Sequence, residues 1–241
     1  MKSKAIGPSV TLDKVSLSID GNRILKPISA HLESGQMHLL IGPNGAGKTS
    51  LLKSMLGLTP HRGEIFRHWP DKKMLPAYIP QQPRFDQVLP VTVADFLCAG
   101  LTNKPIFFGR KKWVEDRVTE LLGQVGLQGK ERLSLGKLSG GERQRLMFAQ
   151  ALSRKTDLWF LDEPMTGLDA DGQQLITELM ISLRNAGKTL IVVHHDMSFV
   201  EQYADNVLLI NGGLISDGSA NEVDLSFFNT SHKPVPVEAV A

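Results

Sequence analysis

What this chain lacks excludes several classes of protein. It has a single cysteine, Cys98, which leaves no internal disulfide framework and fits a reducing compartment. That residue stands in the apolar stretch Phe96-Leu97-Cys98-Ala99 and reads as small core filler rather than a nucleophile. No segment approaches the ~18 uninterrupted apolar residues of a membrane span. At the N-terminus Lys2 and Lys4 are followed by Gly7-Pro8, which interrupts before an apolar signal region could form. Neither sign of charge dominates: 27 Lys and Arg oppose 25 Asp and Glu, for a formal net charge of +2. Nothing therefore calls for nucleic acid or an anionic bilayer as the main partner. The densest basic triplet, Arg110-Lys111-Lys112, reads as a solvated helix start. Aromatic residues are missing early, with none before Phe66. The chain reads as soluble and cytosolic, and any membrane attachment comes through a partner.

The 241 residues suffice for one large α/β domain or a core with a modest insert. Val15, Leu17 and Ile19 alternate with polar residues, and Met37 to Ile41 follows as a short apolar run; both predict strands, with a turn at Asp20-Gly21-Asn22. A glycine-rich loop comes next, then a helix pattern through Leu51, Leu52, Met55 and Leu56 that ends near Gly57. From Val91 to about Ser153 the pattern is helical, with a capping box at Thr92 and Asp95 and an apolar stripe of Val114, Val118, Leu121 and Val125. Strands resume at Leu158 to Leu161 and Leu190 to Val193, with a helix over Asp171 to Asn185 between them. Val207 to Ile210 and Leu214 to Ser216 read as a terminal hairpin. The end of the chain has two prolines and no periodicity, and residues 226–241 read as a disordered tail. The plan is an α/β core with a mostly parallel sheet and an inserted helical subdomain. Residues 10–82 and 155–220 form the core in this reading, and residues 83–154 the insert.

Gly42-Pro43-Asn44-Gly45-Ala46-Gly47-Lys48-Thr49 fits G-x-x-x-x-G-K-[ST] at every position, between a buried strand and a helix. Its glycines let backbone N–H groups converge on phosphate oxygens, and the helix N-terminus adds partial positive charge. Lys48 reaches the β- and γ-phosphates of a nucleoside triphosphate, and the Thr49 hydroxyl can ligate Mg2+. Ser50 continues the phosphate-binding run. Leu158-Trp-Phe-Leu-Asp162-Glu163 is an apolar strand ending in two acids. Alone, such a pair is more commonly a helix cap. Beside a phosphate loop, Asp162 can hold Mg2+ and Glu163 can polarise an in-line water. Leu138-Ser139-Gly140-Gly141-Glu142-Arg143-Gln144 opens a helix and forms a second anion site, with a hydroxyl and two amides at a helix N-terminus. Two phosphate-recognising loops in one chain point to a head-to-tail pair, each second loop closing on its partner's nucleotide.

At these residues the chain resembles the ATP-binding cassette family, from about Leu12 to Ser219 and in the family's motif order. Gly42 to Thr49 matches Walker A, Leu138 to Gln144 the signature, and Leu158 to Glu163 Walker B. The fold implied is a P-loop NTPase of RecA-like type, with N-terminal antiparallel strands and an inserted helical subdomain. The resemblance also implies that Gln81, in Tyr78-Ile-Pro-Gln81, is the glutamine that contacts Mg2+ and joins the core to the helical insert. Gly167-Leu168-Asp169 matches the D-loop. His195, directly before Asp196, matches the switch histidine at the γ-phosphate. A lone histidine after a buried strand is usually structural; the family pattern gives this one a role. The implied activity is ATP hydrolysis with Glu163, His195, Lys48 and Gln81 at the catalytic centre. ATP and Mg2+ are the implied cofactors, with Thr49, Gln81 and Asp162 at the metal. Ser139, Gly140 and Gly141 serve the partner chain's nucleotide. The implied partners are a second copy, integral membrane permease subunits and, indirectly, a periplasmic or surface substrate-binding protein. The implied location is cytoplasmic, peripheral on the inner face of the cell membrane.

One departure stands out. The family usually stacks an aromatic residue on adenine near the end of the first strand, and that position falls on Ile19 here. Weaker adenine preference is the expectation, since stacking is worth on the order of 1 kcal/mol. For cargo, three stretches are similar to ATPases of zinc, manganese and iron importers: the short connection from Arg62-Gly63-Glu64 to Gln81, the Leu89-Pro-Val-Thr-Val-Ala segment, and Gly109-Arg-Lys-Lys before Val125-Gly-Leu. Siderophore, haem or cobalamin importers are the nearest alternative. A soluble, non-transport ATPase of the family fits less well, because those relatives usually carry two cassettes or long insertions. The chain shows no transition-metal ligand cluster of its own; His31 and His38 read as residues of a solvated strand.

Overall fold

Alternating apolar residues open the chain as a bent antiparallel ribbon. The computed structural model describes residues 4–82, 90–102 and 111–223. Strand β1 (Ser9–Ile19) buries Val10, Leu12, Val15 and Leu17, its alternation broken by an irregularity between Leu12 and Val15. Asp20 and Gly21 both have positive φ, 49° and 78°, the requirement of a two-residue hairpin turn that matches strand twist. The turn leads into β2 (Asn22–Leu32), which pairs antiparallel with β1; β4 (Arg62–His68) pairs with the other edge. The sequence reading expected no strand between Ile19 and Met37. The buried residues of β2, Leu25, Ile28 and Leu32, are spaced three and four apart, a helical rhythm. Pro27 also argues against a central strand and is tolerated here because β2 is an edge.

The second sheet has the order β5-β6-β7-β3-β8-β9. Its strands are β3 (Met37–Ile41), β5 (Ala77–Ile79), β6 (Leu158–Asp162), β7 (Thr189–Val193), β8 (Asn206–Ile210) and β9 (Leu214–Gly218). All neighbours are parallel except β8 and β9. β3, β6 and β7 are buried at every residue, as parallel strands covered on both faces must be. One face, with Leu40, Phe160, Ile191 and Leu208, packs on Leu51, Leu52 and Met55 of α1 (Lys48–Leu56) and on the antiparallel sheet. The other, with Leu39, Leu161, Val192 and Leu209, packs on Ile176 and Met180 of α5 (Ala170–Asn185) and on Val200 of α6 (Met197–Tyr203). Short α6 was not anticipated.

Between β5 and β6 the chain forms α2 (Val93–Leu101), α3 (Lys112–Gln124), a 3-10 turn at Leu135–Lys137 and α4 (Gly140–Ser153). The Thr92 and Asp95 capping box forms, and the stripe Val114, Val118, Leu121 and Val125 is buried. Cys98 is buried with it. No helix among the described residues is long and apolar enough to cross a membrane. The expectations for Leu89, Gly109, Arg110 and residues 226–241 lie outside the described residues.

His31 is exposed on β2, as expected, but His38 is not on a solvated strand: it is fully buried in β3. Alternation fails as a guide on a strand covered on both faces. Its Nε2 lies 2.8 Å from the Glu33 carbonyl oxygen, and burial holds its pKa below the usual range.

Candidate functional site

Parallel strands that share a direction deliver their following loops to one edge of the sheet. β3 ends in the glycine loop, β5 in Gln81, β6 in Glu163 and β7 in His194, His195 and Asp196. Gly42 has φ 149°, and a Cβ there would come 2.0 Å from the Ile210 carbonyl oxygen, so the loop's departure from β3 requires glycine. At the N-cap of α1, Gly47 adopts φ 97° against the Leu25 side chain.

The loop encloses one wall of a cleft of about 450 Å³. Asn44, Gly45, Ala46, Gly47, Lys48, Thr49 and Ser50 line it, together with Ile24, Gln81 and Glu163. Lys48, 6% exposed, donates from Nζ to the Gly42 carbonyl at 2.8 Å and to the Pro43 carbonyl at 2.9 Å. Burial lowers its pKa, against the opposing pull of Glu163 and Asp162. The Thr49 hydroxyl donates to Asp162 Oδ1 at 2.7 Å. Burial pushes the Asp162 carboxyl above its usual range, with Thr49 and the charges of Lys53 and Lys48 acting the other way.

Glu163 is the centre of a small polar network. Its Oε2 accepts from Gln81 Nε2 at 2.6 Å and from the Thr166 hydroxyl at 3.3 Å, and lies 3.9 Å from His195 Nδ1. Its backbone has φ 46°, a left-handed conformation costly for a non-glycine residue, and its amide donates to the Val193 carbonyl at 3.1 Å. Strands β6 and β7 are thus tied together at the point where both leave the sheet. His194 is buried and His195 exposed. Asp196 N–H donates to His194 Nδ1 at 3.0 Å, and desolvation pushes the His194 pKa down to about 4.

Ser139 caps α4: its hydroxyl accepts from the Glu142 amide at 3.2 Å, while Glu142 Oε2 accepts from the Ser139 amide at 2.8 Å. Glu142 also pairs with Lys130, and that bond leads the causes that lower its pKa. Gly140 opens on a different cleft, of about 270 Å³, which Gln81, Gln82, Arg143, Gln144, Thr166 and Gly167 also line. A Cβ on Gly141 would stand 3.2 Å from the Gly167 carbonyl, so the start of α4 abuts the loop before α5.

Most of the expected residues meet around the first cleft. Ile19 is not in its lining; it ends β1 and is 44% exposed. Ile24, from β2, takes a place in the wall. Sequence reasoning missed Ile24 with its strand, and missed Thr166, whose one available signal was its position three residues after Glu163. Among the described residues no group of three or more His, Cys, Asp or Glu could hold a metal ion by itself.

The profile of the family described as ABC transporter matches residues 25–166. Over 222 residues the chain is 37% identical to the manganese transport system ATP-binding protein MntB of Halalkalibacterium halodurans, covering 90% of this chain and 89% of that protein. It is 35% identical over 222 residues to the zinc transport system ATP-binding protein TroB of Treponema pallidum, covering 88% and 81%. Its fold matches that of cbiO1 from Clostridium perfringens, part of the ABC transporter complex cbiONQ, with TM-score 0.72 at 24% identity over 92% and 91% of the two chains. The chain belongs to the ABC transporter family, as an ATP-binding, ATP-hydrolysing subunit that works with membrane permease partners.

Proposed function

We propose that this chain hydrolyses MgATP as a head-to-tail dimer on the inner face of a membrane and so energises import of manganese, zinc or iron. The observation that carries the cargo is the 37% and 35% identity, across nearly the whole chain, to subunits named for manganese and zinc transport. The core is residues 10–82 and 155–220. Residues 83–154 form the helical subdomain that, beside Gln81, receives the permease, and a substrate-binding protein outside supplies the metal.

Lys48 exchanges its bonds to the Gly42 and Pro43 carbonyls for the β- and γ-phosphates when nucleotide enters the cleft. The amides of Gly45 to Thr49 and Ser50 face the phosphate oxygens. Thr49 and Asp162, whose oxygens already lie 2.7 Å apart, form with the Gln81 carbonyl the hard-oxygen set that suits Mg2+. Bound there, Mg2+ neutralises charge on the phosphates. Glu163 accepts the proton of the attacking water, held in aim by Gln81 and Thr166, while His195 contacts the γ-phosphate. Ser139, Gly140 and Gly141 close on the partner's nucleotide, and the stronger hold of the closed dimer on ATP than on ADP drives the permease.

The test of cargo is element-by-element metal content of a strain lacking this subunit. Manganese, zinc or iron accumulation falls and returns with a plasmid copy. Unchanged levels of all three would overturn the metal reading, and lost uptake of a siderophore, haem or cobalamin would put a chelate in its place.

A further inference from the structure

His195 is 68% exposed, and its side chain is held only lightly: a 3.9 Å approach to Glu163 and a ring contact with His194 at 5.7 Å between centroids. An exposed side chain with two free torsions spends little time in any one orientation. Its neighbour His194 is 5% exposed and fixed at several points. The His194 amide donates to the Leu40 carbonyl on β3 at 3.2 Å. Its ring stacks on Phe199 of α6, with centroids 4.4 Å apart and planes 12° apart.

Its Nδ1 accepts the Asp196 N–H at 3.0 Å, which closes the 194–196 turn around His195. Because the partner is a backbone donor, Nδ1 must be unprotonated, and the proton of the neutral ring is on Nε2. That Nε2 is buried and meets no acceptor among the described residues. A histidine in such a place carries an unsatisfied polar atom, a cost that a purely apolar filler would avoid. What the histidine supplies that an apolar residue would not is the Nδ1 acceptor. On the far side of the turn, the Asp196 carboxylate accepts from the Ser198 amide at 2.9 Å and caps α6. His195 is therefore bracketed between a residue anchored to β3 and one anchored to α6.

The geometry points to His194 as the positioning residue for His195: its Nδ1 acceptor and stacked ring fix the turn that faces His195 toward Glu163. Burial keeps the ring neutral through the ordinary pH range, so the acceptor persists wherever the enzyme works. The inference rests on the reading of His195 as the γ-phosphate contact.

The test is steady-state ATP hydrolysis by the purified full-length chain. His194→Ala lowers kcat by about tenfold, the scale on which misplaced catalytic groups act, with KM for ATP nearly unchanged. His194→Asn, whose Oδ1 can accept from Asp196 N–H, recovers most of that loss. His194→Phe keeps a ring against Phe199 but lacks the acceptor, and stays low. Wild-type kcat in the alanine variant, a rise in KM in place of the fall in kcat, or an asparagine variant as impaired as the phenylalanine one would overturn the assignment. Should the alanine variant fail to fold, the asparagine and phenylalanine pair decides. His195→Ala is measured alongside. Full hydrolysis there overturns the reading of His195 itself, whereas lost hydrolysis there with an unaffected His194→Ala overturns only the role of His194.

Discussion

The Thr49 hydroxyl donates to Asp162 Oδ1 at 2.7 Å, joining the first turn of α1 to the end of β6 across 113 residues of sequence. This bond satisfies one lone pair of a carboxylate that is 2% exposed and whose pKa is raised by burial. A carboxyl with a folded pKa above its unfolded value makes the fold less stable as pH rises from the unfolded value of 3.8 through the folded one. Above that window the whole cost is present. Asp162→Asn removes the charge and keeps an oxygen for Thr49, so the nucleotide-free variant melts higher than wild type at pH 7.5. The difference shrinks on acidification toward pH ~4, as wild-type Asp162 takes up a proton. Melting curves at the two pH values check this, and a variant less stable at pH 7.5 would contradict it.

Glu163→Gln keeps an acceptor for Gln81 Nε2 and Thr166 but removes the proposed base. Hydrolysis falls by roughly 10²–10⁴, the usual worth of a general base, while ATP binding persists. Size-exclusion chromatography with MgATP then shows an ATP-trapped dimer. A variant that binds ATP and remains monomeric, alone and with its permease, would count against the paired arrangement.

Ser139→Ala deletes one arm of the capping box on α4. Loss of an N-cap costs typically ~1 kcal/mol, which lowers Tm by about 2–4 °C in a chain of this size. Hydrolysis drops further than that small loss of stability accounts for, because in the proposed dimer the same hydroxyl faces the partner's nucleotide. Ser139→Asn, a good cap of different shape, restores the melting temperature without restoring the rate.

Ile19 ends β1 with 44% exposure, while Ile24 contributes to the cleft wall. An aromatic ring at 19 has space and is one turn of hairpin from that wall. Ile19→Tyr tightens ATP binding by about fivefold, equivalent to roughly 1 kcal/mol of stacking. Ile24→Ala weakens it. Calorimetric titration of both variants with ATP and GTP is the check, and an Ile19→Tyr affinity equal to wild type removes the case for a missing adenine stack.

Several elements were legible because their signals are local. The glycine loop is contiguous, although the close approaches that demand two of its glycines, Gly42 to Ile210 and Gly47 to Leu25, come from other strands. The capping box at Thr92–Asp95 spans four residues, Ser139 stands directly before the helix it caps, and the Val114 to Val125 stripe follows from helical period alone. β2 was not legible: its buried residues follow a helical rhythm and it contains a proline, and only pairing along β1 makes it a strand. His38 was misread because its burial comes from layers above and below β3, which alternation along five residues cannot report.

By itself the sequence determined the glycine loop from Gly42 to Gly47 and the helix that follows it, the acidic pair at 162 and 163, and the capped helix at Ser139, since each depends on residues within one turn or strand. Tertiary structure alone decided that Gln81, Thr166 and His195 converge on one oxygen of Glu163. It also decided that Ile24 rather than Ile19 lines the cleft and that Gly140 opens on a second one. The physical reason is the strand order. Placing β5, β6, β7 and β3 side by side and parallel brings the ends of four distant segments to one edge, and the register between strands sets which side chains touch.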